Sequence, residues 1–138
     1  MYNNKKDSIN FKSDFLKPYD INTIFLKQKY SKKGIKRICF HKDEKSKIHI
    51  MILKVKKDYV YPKHSHKDGD EFINILKGKM RITFYQNKKK KSHVLSDKKF
   101  SQIIIKKNTP HTTEVLTNYC IYLEVKKGPF NRKNISFK

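Results

Sequence analysis

The sequence predicts one small all-β domain, a sandwich or barrel, and three observations support this prediction. Short segments of alternating or continuous apolar residues recur along the chain with turn-forming residues between them, which is typical of β-sandwiches and barrels. A length of 138 residues suits a single domain with one core. Eight tyrosines and nine phenylalanines argue against a disordered chain, although 33% of the residues are charged.

The N-terminal region is predicted to contain a tail and one short helix. Residues 1–19 are expected to form a polar tail or an edge strand. Residues 20–26 are predicted to be helical, because Asp20 suits the N-cap position and apolar residues recur on one face. Gly34 is expected to end this helical segment.

The strands are predicted from alternation and from apolar runs. In residues 35–41 the positions of Ile38 and Phe40 are expected to face the core. Residues 48–55 are apolar on both faces and are expected to lie in the interior. The isoleucine run 103–105 is expected to be the most buried segment. The other predicted strands are 72–76, 79–85, 93–95, 102–106 and 119–126, and residues 87–91 are predicted to form a lysine-rich hairpin tip.

Residues 61–78 carry the strongest chemical signal in the chain. His64 and His66 are two residues apart, so on a strand both imidazoles point to the same face. Glu71 follows a short turn, and a hairpin through residues 68–69 is expected to return its carboxylate to the two histidines. Two imidazoles and a carboxylate on adjacent strands are three ligands that a divalent metal accepts.

A fourth ligand is predicted further along the chain. His111 follows Pro110 where another strand is expected to begin, and Asn108 is expected to adopt a left-handed conformation in the preceding turn. A single histidine is more often solvated or hydrogen-bonded than metal-bound, but the four residues together predict a His3Glu site. Fe(II), Mn(II), Ni(II) and Zn(II) are all compatible with these ligands, so the identity of the metal stays open.

The spacing H-x-H-x(4)-E-x(6)-G, with a later Pro-His, resembles the metal-binding motifs of the cupin superfamily. The resemblance implies a cupin double-stranded β-helix, a small β-barrel or jelly roll, in which three histidines and one glutamate hold a divalent metal. It implies a cupin domain over residues 20–131 and a C-terminal tail over residues 132–138. It also suggests a homodimer, because small cupins often pair through their strands.

Three further segments resemble the WbuC-type cupin-fold metalloproteins, small proteins encoded in bacterial surface-polysaccharide loci. The segments are 37–41, 59–66 and 123–130, and the last one ends in the specific pattern E-V-K-x-G-P-aromatic. Cys39 stands where those proteins usually have asparagine. The resemblance implies a fold and a metal site more than it implies a particular reaction.

The chain is strongly basic, with a formal net charge of +22. Only three of its 34 basic residues are arginines, whereas a protein that grips phosphates or bases is expected to use more of them. We therefore favour a solvated lysine-rich surface over a dedicated nucleic-acid interface. The positive field is expected to attract anionic or sugar-like small molecules, such as nucleotide-linked metabolites.

Cysteine usage and hydropathy bear on the compartment. Cys39 and Cys120 lie far apart and do not form a disulfide framework, which favours a reducing compartment. No apolar run approaches the roughly 18 residues that a membrane span needs, and residues 1–13 lack the apolar core of a signal peptide. We therefore expect a cytoplasmic protein with no membrane partner.

Six further residues are site candidates by position. The candidates for substrate binding, if their side chains turn inward, are Arg37, His41 and Arg81. The candidates for a catalytic role, or for fixing the tautomers of the imidazole ligands, are Tyr59, His49 and Glu114. The arginines could equally be surface charges, and His49 could equally be a hydrogen-bonded core residue.

The leading functional hypothesis is a metal-dependent enzyme that acts on a sugar or nucleotide-sugar in surface-polysaccharide biosynthesis. Its most concrete form is isomerisation or epimerisation, with the metal polarising a keto-sugar oxygen, and dioxygenation is an option if the metal is iron. The alternatives are a non-catalytic metal- or sugar-binding module and a lysine-rich nucleic-acid binder. Fold alone does not decide among them.

Overall fold

Eleven strands and one α-helix make up the part of the chain, residues 8–10 and 18–138, that the computed structural model describes. The elements are β1 (Ser8–Asn10), α1 (Pro18–Lys27), β2 (Ile35–Cys39), β3 (Ile48–Lys56), β4 (Val60–His66), β5 (Glu71–Lys77), β6 (Lys79–Gln86), β7 (Lys89–Ser96), β8 (Gln102–Ile105), β9 (His111–Val115), β10 (Tyr119–Lys127) and β11 (Ile135–Ser136), with a 3-10 turn at Arg132–Asn134. The predicted all-β fold with a short N-terminal helix is confirmed.

The strands form two sheets. One sheet has six strands in the order β1-β2-β3-β10-β5-β8, and the other has five in the order β11-β4-β9-β6-β7. β1 runs parallel to β2, and the other strand pairs are antiparallel. Consecutive strands β4 and β5 therefore belong to different sheets, which brings the ends of both strands to one cavity.

The main core lies between the two sheets. Its buried side chains come from both sheets and include Leu53, Ile73, Met80, Ile82 and Val115. These side chains alternate with outward-facing ones along each strand, as the period of two in a strand requires.

The helix α1 covers the outer face of the six-stranded sheet. Its Phe25 packs against Ile38, Ile52 and Ile121 in a second, smaller apolar cluster. The helix begins at Pro18, a residue type that suits the first helical turn because its missing N–H is not needed there. Asp20 therefore lies inside the first turn rather than at the predicted N-cap.

Two predictions about burial need correction. β2 is buried on both faces, because α1 covers Ile38 while Ile35 and Cys39 face the main core. The isoleucines of β8 are not uniformly buried: Ile105 is 2% exposed, whereas Ile104 is 56% exposed, because β8 is the edge strand of its sheet and one of its faces is open to solvent.

The two ends of the chain differ from simple tails. Residues 8–10 form an edge strand, and the rest of the predicted tail up to residue 17 lies outside the described residues. Residues 132–138 contain a 3-10 turn and the strand β11, which pairs with β4 through Ile135 and His66. Within the described ranges, no helix has the length and apolar character that crossing a membrane requires.

Candidate metal centre

The four predicted ligands converge at one point between the sheets. His64, His66, Glu71 and His111 each offer a ligand atom, and these atoms all lie within 4.8 Å of one another. Metal–nitrogen and metal–oxygen bonds are about 2.0 to 2.2 Å long, so ligands on opposite sides of one ion are about 4.2 Å apart. The cluster therefore has the dimensions of a site for a single divalent ion.

The pairing of strands brings the ligands together, but the predicted hairpin between His66 and Glu71 is not formed. His64 of β4 is the register partner of His111 on the neighbouring strand β9, and their ring centroids are 4.3 Å apart. Glu71 begins β5 in the opposite sheet, so the turn at residues 67–70 crosses between the sheets instead of closing a hairpin. The carboxylate meets the histidines because the two sheets face each other.

An irregularity in β4 precedes the histidines. The register of β4 against β9 shifts between Tyr61 and His64, where Pro62 has no N–H to donate to the ladder. Such a bulge re-aims the side chains that follow it, and bulges are frequent beside functional sites.

Two hydrogen bonds donated by backbone N–H groups connect the turn between β4 and β5 to the loop that precedes His111. The Asn108 N–H donates to the His66 carbonyl oxygen at 2.7 Å, and the Lys107 N–H donates to the Asp70 carboxylate at 2.9 Å. Asn108 has φ of 60°, which confirms the predicted left-handed turn. These bonds hold both halves of the ligand set in register.

The imidazole tautomers are fixed by local carbonyls, which the sequence analysis did not anticipate. His64 Nδ1 lies 2.9 Å from the Pro62 carbonyl oxygen, and His111 Nδ1 lies 2.8 Å from the Thr109 carbonyl oxygen. Each ring thus donates its Nδ1–H to the carbonyl two residues earlier and presents a bare Nε2 to the cluster.

The remaining nitrogen atoms fit a bound metal. The buried His111 Nε2 has no hydrogen-bond partner in the part of the chain that is described. His66 Nε2 lies 2.7 Å from Glu71 Oε2, yet this contact does not have hydrogen-bond geometry. Buried polar atoms without partners are rare in proteins. A metal ion shared by these atoms would satisfy both nitrogens and the carboxylate.

The electrostatics of the cluster favour the protonation states that metal ligands need. Burial, and then the neighbouring His111, lowers the pKa of His64 to about 4, and burial also lowers the pKa of His111. Burial alone would raise the pKa of Glu71, but the His66 ring and the charge of Lys126 outweigh it and lower this pKa. At neutral pH the cluster therefore offers neutral imidazoles at His64 and His111 and an ionised carboxylate.

Three members of the cluster, His64, His66 and Glu71, line a cavity of about 750 Å³. This volume is in the range of small-molecule sites. Apolar residues such as Met51, Leu53 and Ile73 line one part of the wall. The other polar or charged lining residues include Arg37, Tyr59, Tyr61, Thr113, Tyr122, Glu124, Lys126 and Arg132.

The structure separates the three predicted substrate-binding residues. Arg37 lines the cavity. His41 instead stacks on His49, with ring centroids 4.1 Å apart and planes 6° from parallel. Arg81 instead pairs with Glu114 at 2.7 Å across β6 and β9, and both side chains are more than a third exposed. Arg81 faces outward because it follows the buried Met80 on β6, and neighbouring residues of a strand face opposite sides.

The three predicted catalytic candidates are separated as well. Tyr59 lines the cavity and packs against the main core. His49 is fully buried, lies within hydrogen-bonding distance (3.2 Å) of the Glu44 carbonyl oxygen, and lines a smaller pocket beside His66. Glu114 faces outward in its pair with Arg81. The tautomer-fixing role assigned to these residues is filled by the Pro62 and Thr109 carbonyls.

A polar row on β10 was not among the predicted site residues. Tyr122, Glu124 and Lys126 alternate along this strand and all line the cavity, and Lys126 Nζ lies 3.2 Å from Glu124 Oε1. Lys126 is also the register partner of the ligand Glu71. Polar residues at every second position of a strand between apolar ones were the signal that could have revealed this row.

The C-terminal segment also contributes to the cavity, which a tail would not. Arg132, Ile135 and Phe137 line it, and the Phe137 ring centroid lies 6.2 Å from that of His64. The segment is attached to the metal-ligand turn, since the Lys67 N–H donates to the Asn134 carbonyl oxygen at 2.9 Å and the Asn134 side chain donates to Asp68 at 3.2 Å.

Comparison with protein families gives one match. A family model described as a domain of unknown function (DUF6016) matches residues 18–96, more than half of the chain. The matched region runs from α1 to β7 and includes His64, His66 and Glu71 but not His111. No curated protein matches the chain.

Several solved structures share the fold. The capsular polysaccharide assembling protein CapF from Staphylococcus aureus superposes with a TM-score of 0.65 at 17% identity, over 79% of this chain and 33% of CapF. CapF with the inhibitor 3-isopropenyl-tropolone gives a TM-score of 0.66 at 17% identity, over 78% of this chain and 32% of that one. The oxalate decarboxylase of Lactobacillus farciminis in its formate complex gives 0.54 at 15% identity, over 66% of this chain and 26% of that one.

These likenesses establish the fold. The chain spans about a third of the length of CapF and about a quarter of that of the oxalate decarboxylase. At such low identity they are evidence for architecture, and the predicted cupin fold is confirmed. Within this fold, the His3Glu cluster is a group of side chains that could hold one metal ion.

Proposed function

The chain belongs to the family described as a domain of unknown function (DUF6016), and we propose that it is a divalent-metal cupin that modifies a sugar or nucleotide-sugar in surface-polysaccharide biosynthesis. The observation that carries the proposal is the position of the ligand set. The ligand atoms of His64, His66, Glu71 and His111 lie within 4.8 Å of one another. Three of these residues, His64, His66 and Glu71, line a cavity of about 750 Å³, and the buried His111 completes the cluster behind them. A metal buried without such a cavity would be structural, whereas this one would face a bound molecule.

The similar structures support the polysaccharide context and the metal. CapF is a capsular polysaccharide assembling protein, and the Bacillus subtilis oxalate decarboxylase, which superposes with a TM-score of 0.54, has Mn(II) centres. The resemblance to WbuC-type proteins of surface-polysaccharide loci points to the same context. Manganese is thus a specific candidate among the Fe, Mn, Ni and Zn ions that suit the ligands.

The chemistry that we propose is isomerisation or epimerisation. A bound divalent ion would supply Lewis acidity toward a carbonyl or hydroxyl oxygen of the sugar. The chain itself contributes ionisable groups beside that position: Glu124 is 8% exposed, lines the cavity, and is paired with Lys126. A carboxylate–ammonium pair at this place can accept or return a proton on the sugar carbon next to the polarised oxygen.

The cavity wall also carries groups that suit a bound sugar. Phe137 and Ile135 of the C-terminal segment lie on its wall close to His64 and His66, and Tyr61 contacts the His64 ring at 4.5 Å between centroids. Aromatic faces and hydroxyls on the same wall suit a molecule with apolar C–H faces and polar edges, which is the character of a pyranose.

The first test is metal content by elemental analysis of the tag-free protein offered several divalent metals. We expect about one ion per chain in the wild type and a loss of that ion in His64→Ala and His111→Ala. His93→Ala is the matched control, because His93 is an exposed histidine on β7. A wild type that stays empty, or a metal that all three variants retain, contradicts the metal site.

The second test is turnover of a panel of nucleotide-sugars by the metal-loaded protein. Product formation that disappears in His111→Ala supports an enzyme, and the fate of hydrogen at the sugar carbons, followed in deuterated water, separates epimerisation from oxidation. Saturable binding without turnover supports the non-catalytic sugar-binding module instead. Neither binding nor turnover across the panel contradicts the proposed substrate class.

A further inference from the structure

An arginine occupies an inward-facing position of β2, between two buried core residues. On β2 the residues Ile35, Arg37 and Cys39 face the interior, and Ile35 and Cys39 are 5% and 1% exposed in the main core. Arg37 lies between them and lines the cavity. Its register partner on β3 is the buried Leu53. The Arg37 guanidinium therefore presents a fixed positive charge and several N–H donors to a molecule in the cavity.

Three tyrosines share the cavity with this arginine. Tyr59 and Tyr61 come from β4 in one sheet, and Tyr122 comes from β10 in the other. Burial raises the pKa of the Tyr59 and Tyr122 hydroxyls, while the charge of Arg37 acts on both in the opposite direction. Arg37 thus shares one cavity with tyrosines of both sheets. Their hydroxyls stay protonated at neutral pH and can donate hydrogen bonds.

Strand register gives the position of this group relative to the metal ligands. Lys126 of β10 is opposite Glu71, whereas Tyr122 of β10 is opposite Leu53, which is itself opposite Arg37. Tyr122 and Lys126 are four residues apart on one strand, a separation of about 13 Å. The backbone positions of Arg37 and Glu71 thus lie at different levels along the strands of one sheet.

We propose that Arg37, with Tyr59, Tyr61 and Tyr122, forms an anion subsite that binds the acidic group of the substrate. The planar guanidinium fork matches a carboxylate or a phosphate, and tyrosine hydroxyls add neutral donors to the same oxygen atoms. This inference rests on the proposed function, since the other end of the substrate is the sugar that reaches the His3Glu cluster. It adds the chemical class: a sugar that carries its acidic group remote from the oxygens at the metal.

The proposal favours one kind of ligand over a simpler one. A small α-hydroxy acid that bound the metal through its carboxylate and hydroxyl together would have no second acidic group for Arg37. A sugar phosphate, a uronic acid or a nucleotide-sugar has several bonds between its sugar oxygens and its acidic group. Such a molecule can occupy both ends of the cavity at once.

The test is calorimetric titration of the metal-loaded protein with glucose, glucuronate and glucose 1-phosphate at fixed ionic strength. We expect at least one of the two charged probes to bind more tightly than glucose. In Arg37→Met the Kd for that probe should rise roughly tenfold to a hundredfold, the size of effect of losing a charge-assisted hydrogen-bonded contact. Preference for glucuronate identifies a carboxylate as the acidic group, and preference for glucose 1-phosphate identifies a phosphate.

Arg81→Met is the matched control. It also removes one arginine charge, but Arg81 pairs with Glu114 on the outer side of the five-stranded sheet, so the Kd should stay within about twofold of the wild-type value. Arg37→Lys keeps the charge and loses the fork, and Tyr122→Phe removes one hydroxyl. Both substitutions should weaken binding by less than Arg37→Met does. If the Arg37→Met variant does not fold, these two variants provide the test in its place.

Metal content of each sample separates the two proposals. If the metal is present and the charged probes bind no better than glucose, or if Arg37→Met and Arg81→Met lose affinity equally, the anion subsite is overturned and the metal site stands. The charged probes should also bind the metal-stripped wild type in an Arg37-dependent manner. If the protein never takes up metal but this binding persists, the proposed metal chemistry fails and the anion subsite stands.

Discussion

His64 and His111 are register partners on β4 and β9, and each ring lies within hydrogen-bonding distance of the carbonyl two residues before it, His64 with Pro62 and His111 with Thr109. A backbone carbonyl two residues earlier therefore sets the tautomer of both rings. Because a metal at this pair would connect neighbouring strands of one sheet to Glu71 in the other, it would link both halves of the fold. Metal binding should then stabilise the folded state.

We predict a metal-dependent melting temperature. With free metal at 100 times its Kd, binding to the folded state alone contributes about 2.7 kcal/mol to the free energy of unfolding. For a domain of this size that corresponds to a rise in Tm of about 10 °C. Differential scanning calorimetry before and after chelation measures it. His111→Ala should show no such difference, and an equal shift in wild type and His111→Ala would contradict stabilisation through this site.

The four ligands could be predicted from the sequence because their spacing matches the geometry of β-strands. His64 and His66 share a face by the period of two, and His111 begins a strand where Pro110 and the left-handed Asn108 predict it. The prediction of a hairpin between His66 and Glu71 was wrong, because a local sequence pattern does not distinguish a turn within one sheet from a turn between two sheets. That distinction depends on which strands Glu71 later pairs with, namely β8 and β10.

The residues that line the cavity around Arg37 were harder to predict than the metal ligands, because their positions depend on which faces of the strands are buried in the folded protein. Arg37 and Arg81 are both strand arginines, yet one lines the cavity and the other faces solvent beside Glu114. The difference arises from α1, which covers the other face of β2 and so leaves the face of Arg37 to the cavity. The role of Phe137 could not be predicted either, because a two-residue strand such as β11 has no periodicity to detect.

We predict that Asp70→Ala weakens metal binding without abolishing it. The Asp70 carboxylate accepts the Lys107 N–H at 2.9 Å and pairs with Lys106 at 3.3 Å, which holds the turn after His66 against the loop before His111. Loss of a group that orients ligands costs up to a factor of ten or so in affinity in an exposed position such as this one. Competition titration with a metal-sensitive dye measures it.

Lys106→Ala is the control for this prediction. It removes the ion pair with Asp70 but leaves the bond from the Lys107 N–H, and exposed ion pairs contribute little. The metal affinity of Lys106→Ala should therefore match that of the wild type. A larger loss in Lys106→Ala than in Asp70→Ala would show that charge, and not the backbone contact, positions the loop.

We predict that Gly128→Ala strongly destabilises the protein. A Cβ atom at Gly128 would lie 1.9 Å from the Ser46 carbonyl oxygen and 2.8 Å from His49 Nε2. Backbone cannot move aside as a side chain can, so the free energy of unfolding should fall by about 3 kcal/mol or more. Urea denaturation measures it. At Gly69 the Cβ would meet only the Lys127 side chain, at 3.1 Å, so Gly69→Ala should cost far less, and equal losses would contradict this explanation.

Finally, we predict that acid destabilises the fold through the stacked pair His41 and His49. Their side chains are 6% and 0% exposed, and burial lowers the pKa of both, with each imidazolium further disfavoured by its neighbours, His49 for His41 and Lys126 for both. In the unfolded chain both rings take up protons below pH 6.5. In the folded protein the same rings take up protons only at a lower pH. Stability is therefore complete above pH 6.5 and is lost as the pH falls toward the lowered folded pKa values, at up to about 1.4 kcal/mol per pH unit for each ring.

The measurement is urea denaturation of metal-free protein between pH 7.5 and 5, compared with His41→Phe. The variant keeps a stacked ring against His49 and removes one titrating group, so its free energy of unfolding should fall less steeply with decreasing pH than that of the wild type. His93→Asn removes an exposed histidine on β7 instead and should leave the wild-type slope unchanged. If His41→Phe follows the wild-type curve at every pH, the buried pair does not carry the acid sensitivity.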